Sequence, residues 1–197
     1  LFALPATIFW FLLVINALNL IDGLDGLAAG IAMFSSLTLL VICVLSGSAF
    51  VALGFAAVAG AALGFLRYNF HPASIFLGDS GSYTLGYALA GLSVLAARKS
   101  EAAVAILTPV VALGVPMIDA AFAPVRRFIL GRGPFRPDRD HIHHRLLKLG
   151  YTHQRAVMVL YAATIAMGLV ALALVHARDD RAALILVLLG VTAIVLM

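Results

Sequence analysis

Residues Leu27–Leu45 read LAAGIAMFSSLTLLVICVL, a run of spanning length without one Asp, Glu, Lys, Arg or His. A bilayer crossing takes about 20 apolar residues, because a helix alone satisfies its own backbone in hydrocarbon. Nothing interrupts the run, so it predicts a transmembrane helix. Outward from it, further apolar runs cover Leu1–Leu18, Phe50–Leu66, Tyr83–Ala97, Ala103–Val125, Ala156–Val175 and Ala182–Met197. Together they make about seven expected spans. The expected fold is all-α, a polytopic transmembrane helical bundle forming a single integral membrane domain over residues 1–197.

Composition agrees with that reading. The chain is 63% hydrophobic and only 11% charged, against about 25% charged residues in soluble domains. Disorder needs the opposite balance, low hydrophobicity with high charge. The single cysteine, Cys43, excludes a disulfide framework and a cysteine-based zinc site. The first run lacks a basic leader and a small-residue cleavage site, so it does not read as a signal peptide. The sequence is expected to belong to a longer membrane protein.

Six loops alternate between the two sides of such a bundle. One set is 19–26, 67–82 and 126–155; the other is 46–49, 98–102 and 176–181. Nine of the 13 Lys and Arg residues fall in the first set, which the positive-inside rule assigns to the cytoplasm. His71, His141, His143, His144 and His153 lie on that side too. The unusual polar sequence is therefore expected on one membrane face.

The first of these loops reads Asn19-Leu20-Ile21-Asp22-Gly23-Leu24-Asp25-Gly26. On a helix, the spacing of three would align Asn19, Asp22 and Asp25 on one face. Gly23, Gly26 and Gly30 would instead permit an unwound segment or a close backbone approach. Acids at the end of a span are costly and usually functional, and oxygen ligands so spaced suit Mg²⁺ or a sugar. A polar cap followed by a turn is the plainer alternative.

In the second loop, Phe76-Leu77-Gly78-Asp79-Ser80-Gly81-Ser82 follows Asn69-Phe70-His71-Pro72 and puts Asp79 on a tight turn entering the next span. A turn of this kind can aim N–H groups at phosphate while its carboxylate holds a metal, though an ordinary capped turn has the same string. Phe76 could stack on a base or face lipid. The third loop carries Arg136-Pro137-Asp138-Arg139-Asp140-His141-Ile142-His143-His144-Arg145. Dense arginines favour phosphate recognition over zinc, since neither a Cys nor an HExxH pattern completes a zinc site. Contact with anionic headgroups is the plainer alternative for Arg126, Arg127 and Arg132. Asp119 lies well inside a span, either as a buried partner of a basic group or as part of the site. Acids for a divalent cation and cations for phosphate are what phosphoryl transfer requires.

These three motifs, in order and spacing, resemble the polyprenyl-phosphate N-acetylhexosamine-1-phosphate transferases over nearly the whole chain. The His141-Ile142-His143-His144 form is most similar to the branch that uses undecaprenyl phosphate and GlcNAc 1-phosphate. The branch transferring phospho-MurNAc-pentapeptide tends to have three consecutive histidines. The resemblance implies transfer of a HexNAc 1-phosphate from a UDP-sugar to a polyprenyl phosphate, with release of UMP, as the first step of a cell-envelope glycan. It implies Mg²⁺, with Mn²⁺ as a substitute, held by Asp79. It also implies catalytic roles for Asp22, Asp25, Asp79, His141, His143 and His144, and substrate binding by Asn19, Asn69, Phe76, Asp119, Arg139 and Arg145. The implied setting is the bacterial inner membrane with a cytoplasmic site, without nucleic acid as a partner and with room for a homodimer.

Family members carry an adjacent acidic pair in an earlier cytoplasmic loop. Here the adjacent pair is Asp179-Asp180, on the opposite side by parity. The catalytic pair is thus expected upstream of Leu1, and this chain alone is expected to be inactive or severely impaired. The rival readings are a transporter, which would show repeat symmetry and polar groups at mid-membrane, and a non-catalytic binder of nucleotide sugar.

Overall fold

The computed structural model describes residues 3–97, 108–129 and 141–176. Within them the chain forms α1 (Ala3–Ile21), α2 (Leu27–Leu45), α3 (Ala49–Asn69), α4 (Gly78–Ala97), α5 (Gly114–Ile129), α6 (Ile142–Lys148) and α7 (His153–His176). Every regular element among the described residues is helical. Residues 108–112 are also helical and lead through a turn into α5.

Among the described residues, four helices are long and apolar enough to cross a membrane: α1, α2, α3 and α7. The chain is a polytopic helical membrane protein. Seven crossings were expected, and Ala182–Met197 and the 98–102 connection lie outside the described residues. The fourth helix begins at Gly78 rather than at Tyr83. Gly78 turns the chain with φ 63°, and Asp79 in the first turn faces the positive end of the helix dipole. Helix therefore starts as soon as the turn is complete.

α2 is the centre of the bundle. It packs against α3 and α7, whereas α1 packs against α4 and α5. Most of α2 is buried, but α1 and α3 leave most of their length open. Their outward Phe9, Leu12, Phe50 and Leu53 are exposed in the isolated chain, as suits helices whose solvent is lipid. Small residues let these helices close up, the usual device where burial from water supplies no drive. A Cβ at Gly86 of α4 would stand 2.7 Å from the Ile15 Cα of α1. Polar side chains add bonds between helices: Trp10 Nε1 donates to Ser93 Oγ at 3.0 Å, and Ser35 Oγ to the Ala112 carbonyl at 2.8 Å.

Candidate active site

The first polar loop is a break in helix. α1 ends at Ile21, the amides of Asp22 and Gly23 turn back to Asn19 and Ile21 carbonyls, and Gly26 opens α2 with φ 79°. Asn19, Asp22 and Asp25 consequently do not share a helical face. Each meets a different part of the chain.

Asn19, in the last turn of α1, donates through Nδ2 to Asp79 Oδ1 at 2.9 Å and to Ser82 Oγ at 3.1 Å. This ties the first loop to the start of α4. Asp22 is half-buried beside Asp79. Burial, and then repulsion from Asp79, push its carboxyl up to about 6. Two acids held together at that cost suit a hard divalent cation, which would relieve both.

Asp25 is fastened differently. Its Oδ2 accepts from His71 Nδ1 at 2.9 Å and from the Ala73 amide at 3.1 Å. Burial acts to raise its carboxyl, but these bonds and the nearby charges of His153 and His71 hold it below the ordinary carboxylate value. The Asp25 amide donates to His153 Nε2 at 2.9 Å. Asn69 is buried, accepting from the Gly26 amide at 3.0 Å and donating to the Ile75 carbonyl at 2.9 Å. It locks the first loop to the second.

The third loop approaches from the other side. Asp119 of α5 is buried, and both its oxygens are taken: Oδ2 pairs with His141 Nδ1 at 2.9 Å and Oδ1 accepts the Ile142 amide at 3.0 Å. Of the two roles open to Asp119, this is the buried partner of a basic group. His143 lies parallel to His141 with ring centroids 5.9 Å apart, and 4.2 Å from the His144 ring. It is 1% exposed, and neither ring nitrogen has a partner among the described residues. A Cβ at Gly23 would fall on the His143 ring, nearest Nε2, so only glycine lets the two loops meet. Burial, His144 and His141 push the His143 imidazole down to about 4 against the pull of Asp119, so it is neutral at pH 7.

Beside the Gly23 turn, and lined by the first two loops alone, lies an open cleft of about 270 Å³, walled by Asp22, Asp25, Asn69 and Phe76. Phe76 is 73% exposed, a bare aromatic face at its rim. A larger cleft of about 500 Å³ between α1, α4 and residues 109–117 is apolar and has no titratable group. Arg145 is exposed on α6, and Arg139 lies outside the described residues. Acids that can share a cation stand on one side of the Gly23 turn and an uncharged imidazole on the other. Such an arrangement can hold a diphosphate between metal and hydrogen bonds.

Three residues outside the expected set take part. His71 and His153 stack with centroids 4.5 Å apart. Tyr161 Oη donates to the Gly26 carbonyl at 2.6 Å and packs over Gly30. His71 and His153 were visible as histidines on the basic side of the membrane, but nothing in their spacing tied them to Asp25. Tyr161 lies inside an apolar run and gave no sign.

The family model for glycosyl transferase family 4 matches residues 1–97. A "Probable undecaprenyl-phosphate N-acetylglucosaminyl 1-phosphate transferase" of Bacillus subtilis (strain 168) is 46% identical over 160 residues, 81% of this chain and 44% of that protein. A decaprenyl-phosphate N-acetylglucosaminephosphotransferase of Mycobacterium tuberculosis is 38% identical, covering 92% of this chain and 51% of its own length. A phospho-N-acetylmuramoyl-pentapeptide-transferase of Caldicellulosiruptor bescii is 35% identical, covering 83% and 49%. The chain spans about half the length of the curated relatives it matches.

Proposed function

The chain belongs to glycosyl transferase family 4, and from that premise we propose that this protein transfers a HexNAc 1-phosphate from a UDP-sugar to a polyprenyl phosphate. The observation that carries the reading is the convergence on one turn. Asp22 neighbours Asp79 and Gly23 touches His143, so the three motifs meet beside a single cleft.

In the proposed reaction an oxygen of the lipid phosphate attacks the β-phosphorus of the UDP-sugar. The bond from that phosphorus to the bridging oxygen breaks, and UMP leaves. Asp79, with Asp22 beside it, would hold Mg²⁺ or Mn²⁺. The like-charge pair and its all-oxygen donors fit such a cation. The cation supplies charge neutralisation on the diphosphate. Asn19 orients Asp79 through the hydrogen bond that its side-chain amide donates. Phe76 offers its exposed ring to the base. His143 is uncharged, so it can place one N–H on a phosphate oxygen without drawing a second proton into the site. His141, His144, Arg145 and Arg139 would complete the anion cradle. Asp119 acts through His141, because both its oxygens are already bonded.

The proposed setting is the bacterial inner membrane with the cleft facing the cytoplasm, as the distribution of Lys and Arg suggests. A homodimer is compatible with this reading. Neither a transporter nor a non-catalytic binder is favoured, since the relatives compared above are all named as transferases. The test offers membranes containing the intact protein a panel of UDP-sugars with polyprenyl phosphate and measures UMP and the lipid product. Transfer that depends on Mg²⁺ and is lost in Asp79→Asn supports the proposal. Absence of UMP release with every sugar overturns it.

A further inference from the structure

Five hydrogen bonds from outside the first loop hold Asp25 and Gly26. The Asp25 amide goes to His153, its carboxylate to His71 and the Ala73 amide, the Gly26 amide to Asn69 and the Gly26 carbonyl to Tyr161. His153 and Tyr161 both come from α7, which follows the third loop in the chain. His71 comes from the loop after α3 and stacks on His153 at an interplanar angle of 18°. Helix and loop thus grip one wall of the cleft through two imidazoles and a phenol.

The direction of the bonds fixes the protons. A backbone N–H can only donate, so His153 Nε2 is an acceptor and His153 carries its proton on Nδ1. The Asp25 carboxylate can only accept, so His71 Nδ1 is a donor. The ligand atoms of Asp25, His71 and His153 lie within 4.8 Å of one another, as in a metal site. Two of the nitrogens there are already engaged, however: His153 Nε2 accepts an N–H and His71 Nδ1 gives its proton to Asp25. This is a hydrogen-bonded clamp. It leaves Asp25 Oδ1 without a partner among the described residues, on a residue that lines the cleft.

We propose that His71 and His153 are positioning residues that set the Asp25–Gly26 peptide, and with it the wall of the cleft that takes the nucleotide end of the substrate. The proposal rests on the transferase reading above. It assigns α7 a role in UDP-sugar affinity and none in the attack by the lipid phosphate.

The test uses the intact membrane protein with His153→Ala, His153→Gln and His153→Arg, and with His71→Leu and His71→Asn. Steady-state UMP release is measured while each substrate is varied, and UDP binding to the purified protein is measured by calorimetry. Losing one such bond corresponds to about a tenfold change. His153→Ala should raise the KM for the UDP-sugar and the Kd for UDP by about that factor, leaving the KM for polyprenyl phosphate and kcat within about twofold. Gln supplies an acceptor oxygen and should recover most of the loss; Arg, with donors only, should not. Asn at position 71 keeps a donor for Asp25 and should outperform Leu. Thermal unfolding in detergent identifies a variant that has merely failed to fold, and the Gln–Arg and Asn–Leu comparisons then decide. Equal KM and Kd across the His153 series, or parallel loss on both substrates, overturns the clamp. A protein that binds UDP with the Ala, Gln and Arg order described but releases no UMP sinks the transferase reading and leaves the clamp standing. A wild-type protein that neither binds UDP nor releases UMP overturns both.

Discussion

Asp22→Asn should stabilise the protein above about pH 6 while abolishing its activity. The carboxyl is raised from 3.8 to about 6, first by burial and then by Asp79. A folded-state value above the unfolded one means that the fold binds the proton more tightly. The stability linked to that proton is complete below pH 3.8 and is lost as pH rises through about 6. Two units correspond to about 3 kcal/mol at 1.36 kcal/mol per unit. Asp22 is only half-buried, so solvent screening reduces this to about 1 kcal/mol. Asn keeps the shape and removes the charge. In EDTA at pH 8 the variant should therefore melt about 3 °C above the parent, and at pH 3.5 the two should coincide. Intrinsic-fluorescence melting in detergent across that range reads the difference directly, with UMP release measured alongside. A variant with no gain at pH 8, or with the same gain at pH 3.5, would show that burial and Asp79 do not strain the Asp22 carboxylate.

Three further outcomes follow from the same contacts. Gly23→Ala puts a methyl into the His143 ring and should lower UMP release by about 100-fold through displacement of that imidazole; parent-like turnover would mean that the two loops do not meet there. Asp119→Ala strands His141 Nδ1 and the Ile142 amide in a buried site, so thermal unfolding should report a loss of about 2–3 kcal/mol, and an unchanged melt would count against the buried pair. Gly86→Leu drives a side chain into the Ile15 backbone and should cost about 1–3 kcal/mol by overpacking, whereas Leu at Gly60, where nothing lies within 4 Å, should cost little on the same melt.

The arrangement also shows why glycines crowd the first loop. Gly23 admits His143 in the loop, and Gly30 admits Tyr161 in the first turn of α2, so loop and helix start are gripped from two sides by groups that arrive late in the chain. Sequence spacing hinted at close approach here, but not at what approaches.

The membrane-spanning helical character was readable locally. An apolar run longer than the hydrocarbon is thick has one way to satisfy its amides, whatever the rest of the chain does. The gathering of the polar loops at one end of the bundle was also expected, and the bonds from Asn19 to Asp79 and from Asp25 to His71 and His153 bring them together. The partners of the acids were not. Spacing by three would have put Asn19, Asp22 and Asp25 on one face had helix continued, but α1 stops at Ile21 and each side chain turns elsewhere. Asp22 meets Asp79, Asp25 meets His71 and His153, and Asp119 meets His141. Asp25 and His153 are 128 positions apart. Pairing over that separation is decided by how α2, α3 and α7 pack. Helix packing depends on shape summed over many side chains, and no short stretch of sequence carries that information.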